Sequence, residues 1–292
     1  MKRLILKFGG TSVGTIEKIK KVANIIKKRF SEGNEIIVVV SAMSGVTDEL
    51  KAKSGLISKN FDNKELDVLL SSGEQVSCSL LSGALIDLGV KARSWLGWQI
   101  PIVTNDNYTS SQIMKIKTDE ILNFISKKGV AVIAGFQGIS EESRITTLGR
   151  GGSDFTAALL SEALDAESCE IWTDVTGVYT TDPRITPAAH PLPELSFEEA
   201  AEMATFGAKV LHPATMEPAL RKDIKVFVGS SKEPEKGGTW IVRDCEHEPP
   251  YRAITRRKEQ VMVTVKTPKM MYAQGFLQQV FAIIAKHKLS VD

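Results

Sequence analysis

The chain has 292 residues, of which 42% are hydrophobic and 25% charged, and its formal net charge is +2 at pH 7. These values are typical of a globular protein with one large or two modest domains, and they give no support for nucleic acid or a membrane as the main partner. No apolar run approaches the ~20 residues of a membrane-spanning helix, and the N-terminus is too weakly apolar for a signal peptide. Scattered cysteines and histidines fit a reducing cytoplasm and indicate no protein-bound metal.

The chain begins with a predicted strand, a glycine pair and a predicted helix. The strand covers residues 4–8, Gly9 and Gly10 interrupt it, and apolar residues then recur at helical spacing over residues 16–26. Glycines before a helix allow backbone N–H groups to approach a phosphate closely. Lys7 is a charge inside an apolar strand, and it is either an edge lysine whose stem reaches solvent or an anion contact. Its position beside the glycines favours the anion contact.

A second strand is predicted at residues 36–40, because a β-branched run is typical of a parallel strand that is buried on both faces. It ends in Ser41 and a polar segment that includes Thr47. Open α/β sheets bind ligands at such strand ends, although a simple polar loop is the alternative. Further along, Ser71 and Glu74 match a capping box at the start of a helix, so the local pattern alone favours a structural role for Glu74.

The centre of the chain is a glycine-rich stretch between a predicted strand at 130–134 and a predicted helix near 157–164. This stretch has the layout of an anion site at a helix N-terminus, and Arg150 adds a guanidinium fork that matches a carboxylate. Asp154 is interpreted either as the N-cap of the helix or as a functional carboxylate. The glycine spacing matches neither a dinucleotide fold nor a P-loop.

The remaining predicted elements are two short strands within 92–104, a helix-leaning segment at 110–128, a strand at 169–173, a helix capped by Ser196 and Glu199, and strands at 225–229 and 239–242. The alternation of strands and helices predicts one α/β domain over residues 1–244. A polar loop after residue 173 contains Tyr179 and Arg184, which could hold the base and phosphate of a nucleotide or belong to a turn. Lys209 is interpreted as either a phosphate contact or a solvated lysine.

The C-terminal part has a different composition. Residues 245–260 are predicted to be a linker, and residues 261–292 are predicted to contain a strand at 261–265 followed by a helix. A strand and a helix bury too little surface to be stable alone. We therefore expect this segment to pack on the main domain or on another chain, or the chain to be truncated.

The motifs taken together resemble the aspartate kinase family of the amino-acid-kinase superfamily. They begin at Lys7, Ser41, Ser72, Thr146, Trp172 and Phe206, and they cover nearly all of residues 1–244 in the order of the family. The resemblance implies an α/β fold, a three-layer αβα sandwich with a mostly parallel central sheet. It implies phosphoryl transfer from ATP, with Mg²⁺, to the side chain of L-aspartate, the first step towards lysine, threonine and methionine. It also implies a cytoplasmic homodimer or larger homo-oligomer.

The same resemblance implies that residues 261–292 are the beginning of a ferredoxin-like ACT domain, which binds a feedback inhibitor in this family. Among the candidate catalytic residues, Lys7 and Lys209 would neutralise phosphate charge, and Asp154 would orient Lys7 or accept from the substrate amine. Glu74 would bind the α-ammonium group of aspartate and Arg150 its α-carboxylate. The other substrate contacts are assigned to Ser41, Thr47 and Ser153. The other nucleotide contacts are assigned to Gly9, Gly10, Gly151, Gly152, Thr173, Asp174, Tyr179, Arg184 and Val210.

Two other functions stay open at this point. The first is a different amino-acid or small-acid kinase of the same fold, and the second is an amino-acid sensor without catalysis. Glu74 together with Arg150 suits the two backbone charges of an amino acid and so disfavours the first alternative. Turnover in Mg-ATP would exclude the second.

Overall fold

The computed structural model describes residues 1–149, 151–208, 211, 213–245, 251–257, 261–266 and 274–287. The chain divides into two compact units, Met1–Arg256 and Arg257–Asp292. Among the described residues, no helix is both long and apolar enough to cross a membrane.

The strands of the first unit are β1 (Arg3–Phe8), β2 (Glu35–Val40), β3 (Ala92–Trp95), β4 (Ile102–Thr104), β5 (Ile113–Ile116), β6 (Val130–Ala134), β7 (Gln137–Ile139), β8 (Ile145–Thr147), β9 (Ser168–Thr173), β10 (Glu194–Ser196), β11 (Lys225–Ser230) and β12 (Gly238–Val242). Its helices are α1 (Ile16–Ser31), α2 (Val46–Ile57), α3 (Asn63–Asp87), α4 (Asp119–Ser126), α5 (Gly152–Ala163), α6 (Phe197–Thr205) and α7 (Pro213–Arg221).

The central sheet has eight strands in the order β10-β12-β11-β9-β1-β2-β6-β3, and only the β11–β12 pair is antiparallel. Alternate side chains of β1 and β2 enter two different apolar clusters. One cluster includes residues of α4, α5, α6 and α7, and the other includes residues of α1 and α3. Both faces of the sheet are therefore covered, which explains the continuous apolar runs of its central strands and confirms the expected αβα sandwich.

A second sheet was not predicted. It has the order β5-β4-β7-β8 and lies in sequence between α3 and the glycine-rich stretch. The expectation of a helix-leaning segment at 110–128 is partly wrong, because β5 occupies Ile113–Ile116 and α4 begins only at Asp119. Strands of three or four residues are too short to show a period of two, so tertiary pairing decides their structure.

Helix α3 begins well before the position that the sequence indicated. Its N-cap is Asp62, whose carboxylate accepts from the N–H groups of Lys64 and Glu65. Ser71 and Glu74 lie inside the helix, so the predicted capping box there is wrong. The first two turns of α3 are rich in polar residues, and this hid their helical periodicity. The second predicted capping box, at the start of α6, is confirmed.

The second unit contains the expected helix, α8 (Phe276–Lys286). The predicted strand at 261–265 is wrong, because residues 261–266 have no regular structure and Val261 and Met262 are 85% and 91% exposed. A strand requires a hydrogen-bonded neighbour, and the described residues provide none here. The strand expected at the C-terminus lies outside the described residues, and the predicted domain boundaries stay predictions.

Two glycines of α3 provide a test of how closely the helix packs. A Cβ at Gly73 would lie 2.8 Å from the Cβ of Ala42, which is fixed to the backbone, whereas a Cβ at Gly83 would meet nothing within 4 Å. Alanine is favoured over glycine in a helix by about 1 kcal/mol. We expect Gly83→Ala to raise the free energy of unfolding by about that amount and Gly73→Ala to lower it in urea denaturation. Equal effects of the two substitutions would contradict the packing described.

Candidate active site

The carboxyl ends of β9, β1, β2 and β6 lie side by side along one edge of the central sheet, because these neighbours are parallel. Backbone hydrogen bonds join the segments that follow them. The Gly9 N–H donates to the Trp172 carbonyl at 3.2 Å, and the Ser41 N–H donates to the Phe8 carbonyl at 3.1 Å. Ligands bind at this edge in open α/β sheets, and most of the described candidate residues lie there.

Lys7 is buried at this edge and paired with Asp154. Since β1 lies between β9 and β2, the interpretation of Lys7 as an edge lysine is wrong. Its Nζ forms an ion pair with the Asp154 carboxylate. Asp154 is the third residue of α5 and Gly151 is the N-cap, so the N-cap interpretation of Asp154 is also wrong. The pair places the ammonium next to the glycine turn, since a Cβ at Gly9 would lie 3.6 Å from Nζ.

Glu74 has one oxygen that lacks a partner. The residue is 3% exposed, and its Oε1 accepts from the Ala42 N–H at 3.0 Å. Its Oε2 is buried without a hydrogen-bond partner among the described residues. Burial raises the pKa of Glu74 to about 7. Because buried polar atoms are nearly always paired in native proteins, an open carboxylate oxygen at a ligand-binding edge fits a cationic ligand.

Three candidate hydroxyl residues lie on the segments around this edge. The carbonyl of Ser41 is held by the Ser77 hydroxyl at 2.7 Å, and Thr47 is half-buried in the first turn of α2. Ser153 is buried in the first turn of α5. A Cβ at Gly135, directly after β6, would lie 2.9 Å from the Ser153 hydroxyl, so this strand end and the start of α5 are in tight contact.

Two of the four glycine N–H groups assigned to phosphate binding are already used within the protein. The Gly9 N–H bonds Trp172, and the Gly152 N–H donates to the Gly149 carbonyl at 3.1 Å. The predicted phosphate contacts from backbone N–H groups therefore rest on Gly10 and Gly151.

The residues assigned to the nucleotide are more dispersed. Thr173 and Asp174 lie at the end of β9, and the Tyr179 hydroxyl bonds Thr176 at 2.6 Å in the following loop. Arg184 donates two bonds to the carboxylate two residues before it, at 2.8 and 2.9 Å, and its side chain is 88% exposed. The structure thus places Arg184 on an exposed part of this loop. Arg150, Lys209 and Val210 lie outside the described residues, and their roles stay predictions.

Asp67, a fully buried residue of α3, was not predicted as a site residue. Its carboxylate accepts from the backbone N–H groups of Thr109 and Thr147 and from the Thr147 hydroxyl. Extending α3 back to Asp62 would have revealed it, because residues seven apart lie on one helix face and Asp67 is seven residues before Glu74.

Comparison with known proteins places the chain in a family. The pattern that defines the amino acid kinase family matches residues 2–230. An aspartokinase from Rickettsia felis is 44% identical over 279 residues, which cover 94% of this chain and 70% of the relative. The chain belongs to the aspartokinases of the amino acid kinase family. An aspartokinase from Geobacillus stearothermophilus is 42% identical over 294 residues, covering 99% of this chain and 71% of the relative.

A solved aspartokinase structure has the same fold. E. coli aspartokinase III, in complex with aspartate and ADP in its R state, superposes with a TM-score of 0.81 at 33% identity. The match covers all of this chain and 76% of the E. coli chain. Family membership and the central sheet thus agree with the resemblance inferred from the motifs.

The open oxygen of Glu74 predicts an unusual dependence of stability on pH. A pKa raised from 4.5 to about 7 means that the folded protein holds this proton more tightly than the unfolded chain. Protonated Glu74 therefore contributes on the order of 3 kcal/mol to the free energy of unfolding. This contribution is fully present below about pH 4.5 and is lost as the pH rises through about 7. Glutamine would keep the acceptor for the Ala42 N–H without the charge.

We therefore expect Glu74→Gln to have a higher melting temperature than the wild type at pH 8 without ligand, and the difference to shrink towards pH 5. Thermal denaturation at both pH values measures this. A variant that is less stable than the wild type at pH 8 would show that the buried charge is already compensated.

Proposed function

We propose that the protein transfers the γ-phosphoryl group of ATP to the side-chain carboxylate of L-aspartate, which yields 4-phospho-L-aspartate and ADP. The observation that carries this proposal is the buried Glu74, with one open oxygen, on the same sheet edge as the Lys7–Asp154 ion pair. One feature suits an ammonium group and the other suits phosphate. The names of the curated relatives support the same reaction.

The reaction needs no catalytic base. The side-chain carboxylate of aspartate is already ionised at neutral pH, so one of its oxygens attacks the γ-phosphorus while the bond to the bridging oxygen of ADP breaks. Positioning and charge neutralisation supply most of the acceleration in such transfers. Lys7 neutralises charge on the transferred phosphoryl group. The ion pair supports the role in which Asp154 orients Lys7, rather than the one in which it accepts from the substrate amine.

The substrate is bound through both charges of its backbone. The open Oε2 of Glu74 accepts from the α-ammonium group, and the guanidinium of Arg150 forms a bidentate pair with the α-carboxylate. The remaining contacts come from Ser41, Thr47 and Ser153. This arrangement leaves the side-chain carboxylate of aspartate free to face the phosphate.

The nucleotide lies along the ends of β1 and β9. The backbone at Gly10 and Gly151 and the cation Lys209 contact the phosphates, while the nucleoside contacts are assigned to Thr173, Asp174, Tyr179, Arg184 and Val210. The described residues contain no cluster of three or more histidine, cysteine, aspartate or glutamate side chains that could hold a metal ion. We propose that Mg²⁺ would bind through the phosphates of ATP, as is common for this ion, and that it would neutralise phosphate charge there.

The wider assignments rest on the family. We propose that the protein acts in the cytoplasm as a homodimer or larger homo-oligomer, in the first step towards lysine, threonine and methionine. We also propose that residues 261–292 begin an ACT-like regulatory module. Apolar side chains of α8, among them Leu277 and Phe281, are exposed. Because exposed apolar surface often marks an interaction site, this supports a module in which α8 packs against further protein.

An ADP-release assay with a panel of acceptors tests the reaction. We expect turnover with Mg-ATP and L-aspartate that clearly exceeds turnover with glutamate, acetylglutamate, carbamate or UMP. Preference for another acceptor would contradict the proposed substrate. Saturable aspartate binding without ADP release would instead identify a sensor.

Lys7 provides a sharper test of the mechanism. Lys7→Ala should lower kcat by on the order of 10²–10³, because it removes a preorganised charge from the transferred phosphoryl group. The matched control is Lys225→Ala, an exposed lysine at the opposite end of β11, two strands away from β1 in the central sheet, which should leave kcat unchanged. Circular dichroism checks that both variants fold. A kcat for Lys7→Ala within a factor of about two of the wild type would remove Lys7 from the mechanism.

A further inference from the structure

Asp67 is a buried carboxylate for which the proposed mechanism has no use. Its two oxygens accept bonds of 2.6 to 3.1 Å from the N–H of Thr109, the N–H of Thr147 and the hydroxyl of Thr147. Burial raises its pKa, while the bonds from Thr147 and Thr109 act against that shift. Among the described residues, no lysine or arginine forms an ion pair with it. Hydrogen bonds from two chain segments thus satisfy the carboxylate.

The two segments that Asp67 joins converge on Gly149. Thr147 ends β8 two residues before this glycine, and its carbonyl accepts from the Ser111 N–H at 2.9 Å. On the other side, a Cβ at Gly149 would lie 3.3 Å from the Thr109 carbonyl, and Gly149 has a φ of 75°. The carboxylate of Asp67 therefore ties the end of β8 to the separate segment at Thr109, which packs against Gly149, a position whose positive φ favours glycine.

The chain beyond Gly149 is held as well. The Gly149 carbonyl accepts from the Gly152 N–H at 3.1 Å, and Gly151 is the N-cap of α5 with a φ of 75°. Arg150 is the single residue between these two fixed glycines. Gly149, before Arg150, is thus held by the two segments that Asp67 joins, and Gly151, after it, is held at the start of α5.

Helix α3 also presents Glu74, seven residues after Asp67. Residues seven apart lie on one face of a helix and about 10.5 Å apart along its axis. Glu74 contacts the loop after β2 through Ala42, and Asp67 contacts the turn before Arg150. One rigid helix therefore sets the spacing between the two sides of the proposed aspartate site.

We propose that Asp67 is a positioning residue for substrate binding, which fixes the turn that carries Arg150 at a set distance from Glu74. The inference rests on the proposed function, in which Arg150 and Glu74 bind the two backbone charges of aspartate. Asp67 itself touches neither substrate nor nucleotide. Its loss should therefore weaken aspartate binding specifically, whereas a purely structural carboxylate would affect all kinetic constants together.

The test is Asp67→Asn, which keeps the shape of the side chain but turns an amide NH₂ group towards backbone N–H donors. In the ADP-release assay with the full chain, we expect KM for aspartate to rise about tenfold or more, and KM for ATP and kcat at saturating aspartate to stay within about threefold. The control is Glu170→Gln, a buried carboxylate on β9 that accepts from Trp172 and pairs with Arg29. It should leave the ratio of the two KM values unchanged.

A gentler pair of variants decides the question if Asp67→Asn does not fold. Thr147→Val removes the hydroxyl bond to Asp67 and keeps the backbone bond. Thr146→Val removes a neighbouring buried hydroxyl that bonds Thr104 at 2.6 Å instead. We expect only Thr147→Val to raise KM for aspartate, by about three- to tenfold, with KM for ATP unchanged.

The outcomes separate this inference from the proposed function. A wild-type chain that phosphorylates aspartate, together with variants in which both KM values rise in parallel or neither rises, overturns the role of Asp67 and leaves the function intact. A wild-type chain without aspartate-dependent ADP release overturns both.

Discussion

The rest of the site depends on a buried carboxylate that has a hydrogen-bond partner for only one of its two oxygens. A glutamate with one bonded and one open oxygen, shielded from water, is unfavourable in the free protein. Glu74 is held in this state because α3 is long, well packed and placed so close to the loop after β2 that Gly73 meets Ala42 directly. The fold thus maintains a carboxylate whose missing partner is a cation, which ligand binding can supply.

The central sheet supplies the rigid frame around that carboxylate. Its inner strands are buried on both faces, so the positions where β1, β2, β6 and β9 end are fixed relative to each other. Lys7 is held at this edge by its ion pair with Asp154, in the first turn of α5. Catalysis of phosphoryl transfer by positioning requires such preorganisation.

The sequence predicted those parts of the fold that are governed by burial on two faces. The strands β2 and β6 appear in it as nearly continuous apolar runs, β1 appears as an apolar run interrupted by Lys7, and the amphipathic helix α1 appears as a helical period. The small sheet, the start of α3 and the role of Asp67 could not be predicted, because very short strands and buried polar residues depend on partners far away in the chain.

In the site, too, local sequence patterns and tertiary contacts led to different interpretations. Locally, Ser71 and Glu74 fit a capping box, and Asp154 fits an N-cap. Tertiary contacts overrule both interpretations, because α3 begins at Asn63 and Asp154 pairs with Lys7. Only the combination of distant motifs, through the family resemblance, pointed to binding roles for these residues.

Proton release on binding tests the central claim most directly. Free Glu74, with a pKa of about 7, is about half protonated at pH 7, and it must ionise to accept the α-ammonium group of aspartate. Isothermal titration calorimetry at pH 7, in two buffers with different heats of ionisation, measures this exchange. If Glu74 accepts from the α-ammonium group, a fraction of a proton, on the order of one half, is released per aspartate bound. Binding without proton release would contradict the central claim.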